Sequence, residues 1–131
     1  MKEPAIAVLD ASVLLALLLG ESRAMKLTDE FLELAVVSTV NLAEVQSKLV
    51  KNGYDPEHAW EDANDLVPVQ KLFTSEQAKM AGTLIAKTEK YCLSLGDRAC
   101  LALAISLKAP VYTTEQNWRN LDLGIPIHVL R

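Results

Sequence analysis

Residues 5 to 10, AIAVLD, restrict the fold of this chain more than any other stretch. An unbroken apolar run has no polar alternation, so it does not suit a strand with one wet face. It suits a strand in the middle of a parallel sheet, covered by helices on both sides. Parallel neighbours need long crossover connections, which are usually helices.

The rest of the chain supplies that alternation. ASVLLALLLG reads as a helix apolar nearly all round, stopped near Gly20 and covered on more than one side. A second helix is expected over Glu21–Leu34, a strand over Ala35–Thr39, and a helix over Val40–Gly53 whose apolar face includes Val40, Ala43, Leu49 and Val50. Pro56 favours a helix start in Asp55–Asp65. LVPVQKLF is a short extended segment that Pro68 keeps out of the sheet centre. A long helix should run from a Ser75 cap to Tyr91, with Lys87 and Lys90 at its negative end. LSLGDRACLALA opens a helix to about Lys108, followed by the strand APVYTT, a helical turn or two in EQNWRNL, and a last strand in IPIHVL. Strand and helix alternate throughout, so the expected fold is α/β: one parallel sheet with helices on both faces. A length of 131 residues fits a single domain spanning 1–131.

Charge and composition narrow the function. A net charge of -4 advertises no general basic surface for nucleic acid. It does not exclude a nuclease, because carboxylates that hold divalent cations contribute to the deficit. Val13 to Gly20 is far too short to span a membrane, and no convincing signal-peptide cleavage site follows, so a cytoplasmic protein without a membrane partner is expected. Cys92 and Cys100 have apolar neighbours and read as buried free thiols in a reducing compartment.

The acids carry the chemistry. Asp10 ends the first strand, Glu44 lies early in the helix after the second, Asp97 opens the helix after LSLG, and Glu115 follows PVYTT. In an open α/β sheet all four positions gather at the carboxyl edges of the strands, where such folds place ligands. Helix capping offers a plainer role: Asn41–Glu44 and Ser94–Asp97 both have capping-box spacing, and Glu115 suits a cap-turn. Asp10 follows a wholly apolar strand, where an uncompensated charge would be costly near the core. Converging carboxylates need counterions, and no lysine or histidine is placed beside them in sequence. Oxygen ligands favour Mg²⁺ or Mn²⁺ over zinc. One or two such ions could drive phosphodiester hydrolysis, with Asp10 and Asp97 as principal ligands, Glu44 as ligand or proton acceptor, and Glu115 completing a second position. Ser12, Asn41, Arg98, Thr114 and Asn117 could orient carboxylates or waters around them, or serve only as caps and exposed polar residues. Arg98 could instead pair with the acids or reach a phosphate. His58 and His128 stand apart from the acids, and Trp60 and Trp118 read as packing anchors.

The pieces VLDASVLLALLLGE, VVSTVNLAEV, LSLGDRACLALA and PVYTTEQNW, in this order, resemble the PIN domain, specifically toxin ribonucleases of the VapC type. The resemblance covers nearly the whole chain. It implies a PIN-like three-layer α/β/α fold and places the family's acidic quartet on Asp10, Glu44, Asp97 and Glu115. The fourth departs from the family, which usually has aspartate in a T-x-D arrangement; here the residues are Thr113-Thr114-Glu115. Thr114 and Asn117 fall in the polar surroundings of that motif, and Ser12 matches the small polar residue after the first aspartate. The resemblance further implies a cytoplasmic, Mg²⁺- or Mn²⁺-dependent endoribonuclease acting on structured RNA such as transfer or ribosomal RNA. It implies a homodimer silenced by a cognate antitoxin, with promoter DNA bound only through the antitoxin. An alternative keeps the fold without catalysis: a PIN-like RNA- or partner-binding module whose metal site Glu115 has weakened. A phosphoacceptor receiver domain also gathers acids at strand ends, but the lysine it needs after the late strand is missing.

Overall fold

The structure, a computed structural model, describes residues 7–131. Ala5 and Ile6 of the expected first strand lie outside the described residues. Five parallel strands, β1 (Ala7–Leu9), β2 (Ala35–Ser38), β3 (Val69–Lys71), β4 (Val111–Thr113) and β5 (Ile127–Val129), form one sheet in the order β3-β2-β1-β4-β5. The helices are α1 (Ala11–Leu18), α2 (Asp29–Glu33), α3 (Thr39–Lys51), α4 (Pro56–Leu66), α5 (Ser75–Thr83), α6 (Ile85–Thr88) and α7 (Leu95–Leu107).

β1 sits in the centre and is fully buried, as its composition requires. Its residues alternate between two cores. Val8 joins Val36, Val111, Leu101, Leu103 and Trp118 on one face, while Leu9 joins Ala35, Val37, Leu14, Leu42 and Val45 on the other. Each sheet face thus has its own helical layer, giving the three-layer α/β/α arrangement. Pro68 precedes the edge strand β3, so its missing N–H costs no central ladder bond. Trp118 is buried in the first core and Trp60 packs against the second.

Two expected helices are broken, each for a local reason. Glu21–Leu34 contains a single 3-10 turn, Ser22–Ala24, and the short α2. The Thr28 hydroxyl accepts from Phe31 N at 3.1 Å, so α2 starts only at Asp29 and the residues before it serve as connection. The long helix expected from a Ser75 cap is capped by Thr74, whose hydroxyl accepts from Gln77 N at 3.1 Å. It divides into α5, α6 and a 3-10 turn, Glu89–Tyr91. The hydroxyls of Thr83 and Thr88 donate to the carbonyls of Lys79 and Leu84 at 2.8 Å, a back-bonding that bends helices. Cys92 then turns the chain with φ 57°, in the left-handed region. That turn corrects its expected burial: Cys92 is exposed and Cys100 alone is buried.

Candidate active site

β2 and β3 lie on one side of β1, β4 and β5 on the other, so the chain reverses its winding between β1 and β4. Connections diverge from such a switch point and leave a crevice at the strands' carboxyl ends. A cleft of about 350 Å³ lies at the carboxyl end of these two strands, lined by Asp10, Glu44, Asp97 and Glu115 together with Ser12, Lys48, Cys92 and Asn117.

Asp10 is fixed by the first turn of α1 and the end of β4. Its Oδ1 accepts from Val13 N at 3.0 Å, capping α1, and from Ser12 Oγ at 2.7 Å. Its Oδ2 accepts from Thr113 Oγ1 at 2.5 Å. Only 2% of the residue is exposed. Burial raises its pKa to about 6, and the nearby charge of Asp97 pushes the same way; the hydrogen bonds from Thr113, Ser12 and Val13 oppose the rise without cancelling it. Ser12 Oγ also accepts from Thr114 N at 2.9 Å, tying α1 to the end of β4.

Glu44 does not cap its helix. Ser38 does, accepting from Val40 N at 3.2 Å, so α3 begins before Asn41. Freed from capping, Asn41 donates through Nδ2 to Glu44 Oε1 at 2.6 Å and to Gly96 O at 3.1 Å. Half-buried Glu44 has a raised pKa, chiefly from burial; the Asn41 bond lowers it, Asp97 raises it and Lys48 lowers it. Lys48 corrects the expectation that no cation stands near the acids, and the signal was its position one helical turn beyond Glu44. Gly96 lets the Glu44 carboxylate approach the backbone of α7, since a Cβ there would overlap that carboxylate and displace it.

Asp97 does two things at once. Its Oδ2 accepts from Ser94 N at 2.9 Å while Ser94 Oγ accepts from Asp97 N at 3.1 Å, a complete capping box for α7. This engages one carboxylate oxygen, and the residue still faces the cleft. Glu115 lines the cleft without a side-chain cap bond, so it is not the cap-turn acid its sequence position allowed.

The supporting residues divide. Ser12 and Asn41 bond directly to Asp10 and Glu44. Asn117 lines the cleft but its Nδ2 donates to Tyr91 O at 2.8 Å. Arg98 turns away, donating through Nη1 to Ala81 O at 2.8 Å, and forms no ion pair with the acids. At the end of β4 it is the Thr113 hydroxyl, rather than that of Thr114, that reaches Asp10. His128 stacks on Tyr112, centroids 4.7 Å apart, and is absent from the cleft lining.

Among the described residues, no three carboxylate, imidazole or thiol groups close into a cage around one point. The acids instead border an open cleft. Its chemistry nevertheless fits a hard divalent cation. The four acids offer only oxygen donors, burial favours the neutral form of Asp10, and burial together with the fields of Asp10, Asp97 and Glu44 drives the Cys100 thiol well up and away from thiolate.

The family model described as PIN domain matches residues 7–123. A search of curated protein sequences finds no match. Among solved structures the chain is similar to VapBC2 of Rickettsia felis, in a crystal structure bound to a DNA fragment from their promoter (TM-score 0.73, 13% identity, 95% of this chain and 98% of that one covered). It is similar to Mycobacterium tuberculosis VapC20, a sarcin-ricin loop cleaving toxin (TM-score 0.73, 16% identity, 92% and 98% covered). It is likewise similar to FitAcB of Neisseria gonorrhoeae (TM-score 0.71, 15% identity, 93% and 96% covered). At these identities the likeness is one of fold.

Proposed function

Because the chain belongs to the PIN domain family, we propose that it is a divalent-metal-dependent endoribonuclease and the toxin of a toxin–antitoxin pair. The observation that carries this reading is the buried, pKa-raised Asp10 at the β1/β4 switch point, sharing one cleft with Glu44, Asp97 and Glu115. A structural role would be served at lower cost by an uncharged residue.

Asp10, Glu44, Asp97 and Glu115 hold one or two cations, Mg²⁺ or Mn²⁺. When bound, such a cation lowers the pKa of water and stabilises charge on the phosphodiester. The chain's own residues do the rest. Asp10 is locked in one orientation by Ser12, Val13 and Thr113. The oxygen of a water bonds to phosphorus while the bond to the leaving ribose oxygen breaks. A water proton passes to the Glu44 oxygen not held by Asn41, and the leaving oxygen takes a proton from solvent. The raised pKa of Glu44 suits it to accept that proton.

The substrate class is structured RNA, transfer or ribosomal. The chain works as one domain in the cytoplasm, as a homodimer. A cognate antitoxin covers the cleft and supplies any promoter-DNA contact. Support for the partner comes from the fold shared with VapBC2 and FitAcB. The test is to incubate the purified, partner-free chain with transfer and ribosomal RNAs in Mn²⁺, Mg²⁺ or EDTA. Discrete cuts that need metal are expected. A folded, partner-free chain that cuts nothing in the panel and binds no Mn²⁺ sinks the enzyme reading.

Gly96 offers a second test. Gly96→Ala should stabilise the first turn of α7, since alanine is the better helix former by about 1 kcal/mol. It must also displace the Glu44 carboxylate. Cleavage is expected to fall by about tenfold or more through that misplacement. Undiminished cleavage in a folded Gly96→Ala protein would remove Glu44 from the mechanism.

A further inference from the structure

Resting on the nuclease reading above, we propose that Lys48 is the substrate-phosphate cation of the cleft, the group that draws an RNA strand into a site otherwise lined by acids. Among the described residues lining the cleft, Lys48 alone is cationic. Its side chain belongs to an exposed residue and enters no ion pair within 4.0 Å among the described residues. It is not needed to hold Glu44, because Asn41 already donates to that carboxylate at 2.6 Å. It lies on α3 one turn beyond Glu44 and lines the same cleft, which places it beside the reacting centre.

An ammonium with three unengaged donors, facing a cleft that would repel a polyanion, is suited to one non-bridging phosphate oxygen. Among the described residues, the cleft lining contains no aromatic ring and no arginine. Contact there is therefore with the RNA backbone rather than with a stacked or bidentately read base.

The test compares wild type, Lys48→Gln and Lys48→Arg. Cleavage kinetics are measured in Mn²⁺, and binding of a fluorescent single-stranded RNA is measured in EDTA across a salt series. Lys48→Gln is expected to raise KM about tenfold, with kcat falling by less. The slope of log Kd against log salt should shrink by about 0.7, the loss of one phosphate contact on a single strand. Lys48→Arg should keep the wild-type slope. If Lys48 serves only to position Glu44, kcat falls and the slope stays fixed, which overturns the proposal while leaving the nuclease intact. If wild type binds RNA without cutting it and Lys48→Gln still flattens the slope, Lys48 keeps its role and the nuclease reading fails. An RNA affinity identical in all three proteins, or absent from all, overturns the proposal.

Discussion

Asp97→Asn is expected to lower the rate of RNA cleavage by on the order of a hundredfold to a thousandfold, a loss of about 3–4 kcal/mol of transition-state stabilisation, while leaving the thermal midpoint near that of wild type. The two halves of the result come from different atoms. Asparagine retains a carbonyl oxygen that can accept from Ser94 N, and its own N–H still donates to Ser94 Oγ, so the capping box survives. What disappears is the negative charge in the cleft. Ser94→Ala should show the complementary pattern: about 1 kcal/mol of stability lost with the cap, and the Asp97 charge still present. Cleavage kinetics beside calorimetry decide the matter. If Asp97→Asn cuts RNA at the wild-type rate, Asp97 is a cap and nothing more.

That dual use explains why the site was only partly legible in the sequence. Capping and ligand holding ask for the same residue type at the same place, because a helix N-terminus and the carboxyl edge of a parallel strand coincide. Residue type and order were enough to bring Asp10, Glu44, Asp97 and Glu115 to one edge. They were not enough to tell Ser38 from Asn41 as the cap of α3, since both can fill that position and the choice depends on where β2 ends. Nor did they separate Thr113 from Thr114; strand alternation sends adjacent side chains to opposite sides, and only the pairing with β1 says which side meets Asp10. Arg98 lies next to Asp97 in sequence but leaves the helix in another direction, toward α5. The central strand and the edge position of β3 were readable because burial on both faces and a missing N–H act locally. Hydroxyl back-bonding at Thr83 and Thr88 also acts locally, but its signal is a common residue in an otherwise good helix.

The same buried aspartate sets an expectation for stability opposite to that for activity. Asp10 titrates near 3.8 when exposed and at about 6 in the fold. Between these values the folded chain holds a proton that the unfolded chain releases, so folding is favoured by acid. The stability associated with neutral Asp10 is complete below about 3.8 and is lost as pH rises through about 6. The gap corresponds to about 3 kcal/mol. In EDTA, the wild-type chain should therefore be less stable at pH 7.5 than at pH 5 by about 1.4 kcal/mol from Asp10 alone. Only the part of the gap from pH 5 to about 6 falls in that window. Asp10→Asn should remove that dependence and be the more stable protein at pH 7.5. Its amide oxygen can still accept from Val13 N and Ser12 Oγ, and its Nδ2 can donate to the Thr113 hydroxyl, which accepts as readily as it donates. Mn²⁺ should stabilise wild type at pH 7.5, by about 2.7 kcal/mol at a hundred times its Kd, and should leave Asp10→Asn nearly unmoved. The decisive comparison is the difference between the two proteins across pH, which cancels the titration of every other group that the substitution leaves alone. A constant difference from pH 5 to 7.5 would mean that Asp10 carries its charge without penalty. A widening difference that Mn²⁺ closes would mean that the fold tolerates an unfavourable charge there because a cation neutralises it.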